Sequence, residues 1–107
     1  MTREQMIRNM SMILSGEEMS RIEVNETEDG AACVDLDLHQ LTRKEAERLL
    51  RNVINMNRGG FVLNAIHGFN HGVVLKKMIM ETTFGRRVID RRSPAWNPGQ
   101  TFLKVAS

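Results

Sequence analysis

A chain of 107 residues with 41% hydrophobic and 26% charged side chains has the composition of one soluble globular domain, which excludes global disorder. No window approaches the roughly 18 uncharged apolar residues of a transmembrane helix. The formal charge of +2 hides an asymmetry. Residues 1–31 hold three basic against seven acidic side chains, a net −4, and residues 32–107 hold twelve against six, a net +6. A basic core behind an acidic leader suits a polyanionic partner, because Lys and Arg contacts to phosphates supply most non-specific affinity for nucleic acid.

The first residues include Glu4 and no unbroken apolar run, so they do not read as a secretory signal. The single cysteine, Cys33, cannot form an internal disulfide, and the expected compartment is the cytoplasm. Met6, Ile7, Met10, Ile13 and Leu14 form one helical stripe, which Ser15 and Gly16 interrupt. "EEMSRIEV" follows, and "NETEDG" is a polar turn cluster. Residues 1–31 are therefore expected to be an acidic extension of one or two short helices. Five of the eight methionines fall here, and methionine builds adaptable surfaces. The extension is expected to pack on the core, on a second copy in a homodimer, or on a protein partner.

"ACVDLDLH" alternates strictly, with Val34, Leu36 and Leu38 on one side and Cys33, Asp35, Asp37 and His39 on the other. That is a strand with one buried face. In "LTRKEAERLLRNVINMNRGG" Thr42 and Glu45 make a capping box. Ala46, Leu49, Leu50, Val53 and Ile54 give the apolar stripe, and Gly59 and Gly60 end the helix. "FVLNAIH" reads as a second strand and "GFNHG" as a loop. "VVLKKMIMET" reads as a second helix with Val74, Leu75, Met78 and Ile79 inward. "RRVIDRR" is a short basic strand, "SPAWNPG" a turn-rich loop, and "QTFLKVA" a final strand. The order β-α-β-α-β-β predicts an α/β fold over residues 32–107, a mixed four-stranded sheet with two helices on it.

All three histidines lie at two strand ends. His39 closes the first strand, and His67 and His71 flank the loop after the second. A β-α-β unit makes those strands parallel neighbours, so both ends share the edge where open α/β sheets bind ligands. Asp37, two residues before His39, can orient the imidazole for proton transfer; the alternative is a solvated strand end. The run Gly68 to Gly72 is either a sharp turn or an anion cradle at a helix start, with Lys76 and Lys77 close behind. It lacks the spacings of a Walker A or dinucleotide motif. Asp37, His39, His67 and His71 are compatible with a divalent ion, but no ligand spacing requires one, and the cofactor stays open. Trp96 lies near Arg91 and Arg92. It is expected to pack over the core edge, with stacking on a base as the alternative.

Taken together, "LDLHQLTRKEAERLL", "AIHGFNHGVVLKKMI" and "NPGQTFLKV" resemble the Smr (small MutS-related) domain family over about residues 32–107. Leu36, Asp37, Leu38 and His39 match its Leu-Asp-x-His motif. His67 and Gly68, with Gly72 at the helix entrance, match its His-Gly loop. Asn97, Gly99 and Thr101 match its closing strand. Gln40 stands where the family usually has Gly, and Asn70 where the loop often has a second Gly. The resemblance implies a two-layer sandwich similar to the C-terminal domain of bacterial translation initiation factor three. It also implies binding to DNA or RNA and, in several members, nicking or RNA endonuclease activity. In that version Asp37, His39, His67 and His71 carry the chemistry. Gly68, Asn70, Gly72, Lys76, Lys77, Arg43, Lys44, Arg91 and Arg92 hold the backbone. The alternative is a non-catalytic nucleic-acid or protein interaction module.

Overall fold

The computed structural model describes residues 2–28, 30–68 and 72–107. Two short helices open the chain, α1 (Arg3–Ser11) and α2 (Gly16–Ser20). Each begins with a capping box, Thr2 with Gln5 and Ser15 with Glu18. These reciprocal bonds satisfy amide groups that a helix start leaves open. Strand β1 (Ile22–Glu26) follows, then β2 (Ala32–Asp37), α3 (Arg43–Met56), β3 (Phe61–Ile66), α4 (Gly72–Glu81), β4 (Val88–Arg92) and β5 (Gln100–Val105).

The sheet is mixed and has five strands, in the order β1-β2-β3-β5-β4. The pair β2–β3 is parallel, and the other three pairs are antiparallel. The strand not foreseen is β1, read above as helix. "IEVNE" is short, but it alternates, and its register sets Val24 beside Val34 on the buried side. A turn closed by Thr27 N–H donating to the Ala31 carbonyl (2.8 Å) returns the chain into β2, with Gly30 at φ +84°.

One face of the sheet carries the core. Adjacent strands align Val24, Val34, Leu63 and Leu103 in one row and Leu36, Ala65 and Thr101 in the next. Helix α3 lays Ala46, Leu49, Leu50, Val53 and Ile54 on this face, and α4 adds Leu75, Met78 and Ile79. Val74, expected inward, is exposed instead. Met6, Met10 and Leu14 belong to the same apolar cluster, so residues 2–26 are built into the core. The opposite face carries Cys33, Asp35, Val62, Asn64, Phe102, Lys104, Asp90 and Arg92 at matching register. There burial first, then Asp35, push the Cys33 thiol pKa up, so the side chain stays a neutral thiol.

Arg87 closes the far end of the fold. Its guanidinium donates to the carbonyls of Ile54 (2.7 Å), Asn57 and Gly59 (3.1 Å), and its Nε to that of Ala106 (2.8 Å). These accept where α3 has run out of amide donors. Arg91 also turns inward, donating to the Ile79 carbonyl (2.7 Å) and lying over the Phe84 ring. No helix among the described residues is long and apolar enough to cross a membrane.

Because Met10 is fully buried, Met10→Ala is expected to lower stability by about 2–5 kcal/mol through lost contacts and a residual cavity. Urea denaturation followed by circular dichroism measures this. A loss below about 0.5 kcal/mol would mean that α1 only rests on the surface.

Candidate functional site at the carboxyl edge of the parallel strands

Because β2 and β3 are parallel, the residues after Asp37 and after Ile66 emerge side by side. The ladder runs one step further, with Leu38 N–H donating to the Ile66 carbonyl (2.8 Å), and the Leu38 side chain is fully buried. This fixes Asp37 and His39 on either side of an anchored residue.

The turn that follows is tightly held. Arg21, at the end of α2, donates through its guanidinium to the carbonyls of Asp37 (3.2 Å) and His39 (3.0 Å). Its Nε pairs with Glu17 (2.7 Å), and its own carbonyl accepts from Asp37 N–H (2.9 Å). Gln40 lies at φ +68°, the only non-glycine residue with positive φ among those described. The turn demands a left-handed residue, and Gln40 adopts that conformation at some strain.

Within this turn Asp37 Oδ1 accepts from the His39 backbone N–H (3.1 Å) and from His39 Nδ1. A carboxylate on Nδ1 places the proton there and leaves Nε2 with its lone pair outward. The His39 side chain is 54% exposed, and Nε2 has no partner among the described residues. The dyad has the orientation of a carboxylate-held general base.

His67 differs sharply, being 2% exposed. Its Nδ1 lies 3.2 Å from the Gly68 carbonyl, which can only accept, so Nδ1 carries the proton. Nε2, 3.0 Å from the Thr101 hydroxyl, therefore accepts. Burial, the largest cause, pushes the His67 pKa below the usual imidazole value, and the nearby Lys76 charge adds to this. Both nitrogens are committed and the ring is neutral, so His67 props the loop, while His39 faces solvent.

Three loops meet at this edge. The Gly99 carbonyl accepts from His67 N–H (3.0 Å) and Gly68 N–H (2.9 Å), joining the 93–99 loop to the His-Gly loop. Gly68 lies at φ +78°, and a Cβ there would sit 3.9 Å from His39 Cβ, so the two motif loops lie close together. On the open face Asn64 Nδ2 donates to Asp35 and to Gln100 (both 3.1 Å), tying β2, β3 and β5 below the edge. A groove of about 190 Å³ lined by Leu41, Thr42, Arg43, Val74 and Leu75 separates the starts of α3 and α4.

Of the expected phosphate-binding residues, Arg43, Lys44 and Lys77 are exposed and Lys76 is half-buried. Arg92 is exposed and paired with Asp90 (2.8 Å), whose carboxyl pKa it holds low. Arg91 is committed to Ile79 and Phe84, away from this edge's solvent. Asn70 and His71 lie outside the described residues, and Gly72 is the first residue of α4. Among the described residues no group of three or more His, Cys, Asp or Glu side chains converges as a metal site requires. Trp96, expected to pack on the core edge, is instead 75% exposed. Sequence reasoning missed Arg21, whose partners lie 16 and 18 residues along the chain and are joined to it only by the β1–β2 hairpin.

The chain matches no family model, no curated protein and no solved structure among those compared.

Gln40→Gly is expected to stabilise the fold by about 0.5–1 kcal/mol, since relief of left-handed strain exceeds the added chain entropy. Chemical denaturation measures the gain; a loss of stability would show that the Gln40 side chain, rather than the turn, matters. His67 sets a pH dependence. Its folded-state pKa is depressed, so the unfolded chain binds the proton better, and its contribution is present above about pH 6.5 and lost as pH falls below it. Denaturation midpoints should drop from pH 7.5 towards 5.5, and His67→Asn should flatten that slope. An unchanged slope would remove His67 as its source.

Proposed function

We propose that this chain is a nucleic-acid-binding domain of the Smr kind that cuts the phosphodiester backbone at the Asp37–His39 edge. The fold proposed with it is the two-layer sandwich of the C-terminal domain of translation initiation factor three, with β1 as an added edge strand. The observation that carries the reading is the solvent-facing His39 imidazole, its Nδ1 held by Asp37, close to a glycine loop that is followed by Lys76 and Lys77. The family resemblance of three ordered motifs supplies the substrate class.

In this reading a backbone phosphate sits over Gly68 and the start of α4, near Lys76 and Arg43. Its negative charge meets the helix start and the two cations. His39 Nε2 takes the proton from the attacking oxygen, a ribose 2′-hydroxyl in RNA or a water. As the new P–O bond forms, the bond to the 5′-oxygen breaks, and that oxygen needs a proton. His71 is the candidate donor, because His67 is neutral with both nitrogens engaged. Asp37 stabilises the imidazolium that His39 becomes. Arg21 keeps the turn, and hence the dyad, in place.

The test is cleavage of plasmid DNA and of structured RNA. His39→Ala should slow cleavage by about 10²–10⁴-fold, the usual worth of a positioned base, while oligonucleotide affinity stays within a few-fold. Equal cutting by wild type and variant would overturn the role of His39. Binding that falls steeply with salt, but without product from the wild type, would replace the nuclease reading with a binding module.

A further inference from the structure

Trp96 is a large apolar side chain left in water on a loop that is not loose. Residues 93–99 are braced from within and tied to the His-Gly loop at Gly99. Asn97 N–H donates to the Pro94 carbonyl (3.2 Å), Gly99 N–H donates to Asn97 Oδ1 (3.0 Å), and the Gly99 carbonyl holds the His-Gly loop. Pro94 and Pro98 further limit the backbone. The indole is thus presented outward, 75% exposed, on a loop whose last residue also holds the His-Gly loop.

Sheet order fixes where this happens. Strand β5 is antiparallel to β3, so the loop entering β5 lies at the carboxyl end of β3. Along that edge the order is the Asp37–His39 turn, the His-Gly loop, then the 93–99 loop. Three strand spacings of about 4.8 Å separate the ends of β2 and β4, or about 14 Å, which a short strand can span. Arg92, just before the loop, has an 81% exposed side chain. An exposed aromatic face on a loop joined to the His-Gly loop, four residues after an exposed arginine, has the parts of a single-strand stacking platform.

We infer that Trp96 is a base-stacking subsite for an unpaired nucleotide of a strand whose phosphate lies at the His39 edge. This deepens the function proposed above and rests on it. The ligand is single-stranded nucleic acid, because a paired base has its faces covered by its neighbours. The chemistry recognised is the π-face of a base, common to RNA and DNA.

Trp96 is the only tryptophan and the chain has no tyrosine, so intrinsic fluorescence reports this one side chain. The full chain is titrated with labelled RNA and DNA single strands of about eight nucleotides, within the span such surfaces cover. The same lengths are tested as fully paired duplex and as an abasic strand. Label anisotropy measures binding, and Trp fluorescence measures stacking. Single strands should bind and quench Trp96, while the abasic strand should leave its emission unchanged. Trp96→Ala should weaken single-strand binding about five-fold to a hundred-fold, and Trp96→Phe should recover part of the loss. Both readouts are independent of folding defects, because Trp96 packs on little and thermal melts should coincide. Quenching by RNA alone assigns the ligand to RNA, and by both assigns it to the shared base face. Binding without quenching, or with Trp96→Ala unchanged, overturns the subsite and leaves the proposed function standing. No binding of any oligomer overturns both.

Discussion

Everything at the candidate site depends on the parallel pairing of β2 with β3. Antiparallel neighbours would send the Asp37–His39 turn and the His67–Gly68 loop to opposite ends of the molecule. The β2-α3-β3 crossover sends them to the same end, one strand spacing apart, and the Leu38-to-Ile66 hydrogen bond carries the pairing into the motif itself. The helix that makes the crossover is secured at both ends, by the Thr42–Glu45 capping box and by Arg87 on its last carbonyls. A buried stripe from Ala46 to Ile54 then fixes its rotation on the sheet. The site is therefore a consequence of the core rather than an ornament on it.

The acidic leader takes part in this support. Its helices cap themselves and bury Met6 and Met10, and its strand covers the edge of β2 that would otherwise be open. Arg21 stands where α2 gives way to β1, and its guanidinium reaches the two carbonyls that flank Leu38. A short-range feature, the pairing of Arg21 with Glu17, thus orients a long-range clamp on the turn. Of the packings expected for the leader, on the core, on a second copy or on a partner, its apolar stripe largely takes the first. Met12 and Ile13 remain outside.

What was legible in the sequence was periodic or locally signalled. The period-two run of β2 and the capping box and stripe of α3 rest on neighbours within a few residues, and they came out as read, whereas α3 ends at Met56 with Asn57 as its cap, before the Gly59-Gly60 expected to stop it. The misreadings concern partners far away in the chain. Strand β1 is five residues long and follows a helix, so its alternation was too short to declare itself without β2. Arg87 and Arg91 look like surface charge in "RRVIDRR", and only the folded carbonyls of Ile54, Gly59 and Ile79 draw them inward. The histidines looked equivalent as a cluster. Burial separates them: Thr101, 34 residues on, claims His67, while nothing among the described residues claims Nε2 of His39.

Charge placement gives the site a direction. The outer side of β2 is flanked by Glu17, Glu18, Glu23 and Glu26, all in the leader. The other side, where β5 and β4 begin and end, carries Arg92, while Lys76 and Lys77 rise behind the His-Gly loop. In the proposed function, a phosphate backbone would meet repulsion from the β1 side and attraction from the β4 side. A strand held at His39 would therefore run towards the 93–99 loop, not across β1, and the first aromatic face on that route is Trp96. In the function proposed here, its exposure, which the core does not explain, and the net −4 of the leader would act together, admitting a polyanion from one side and presenting it to a single imidazole.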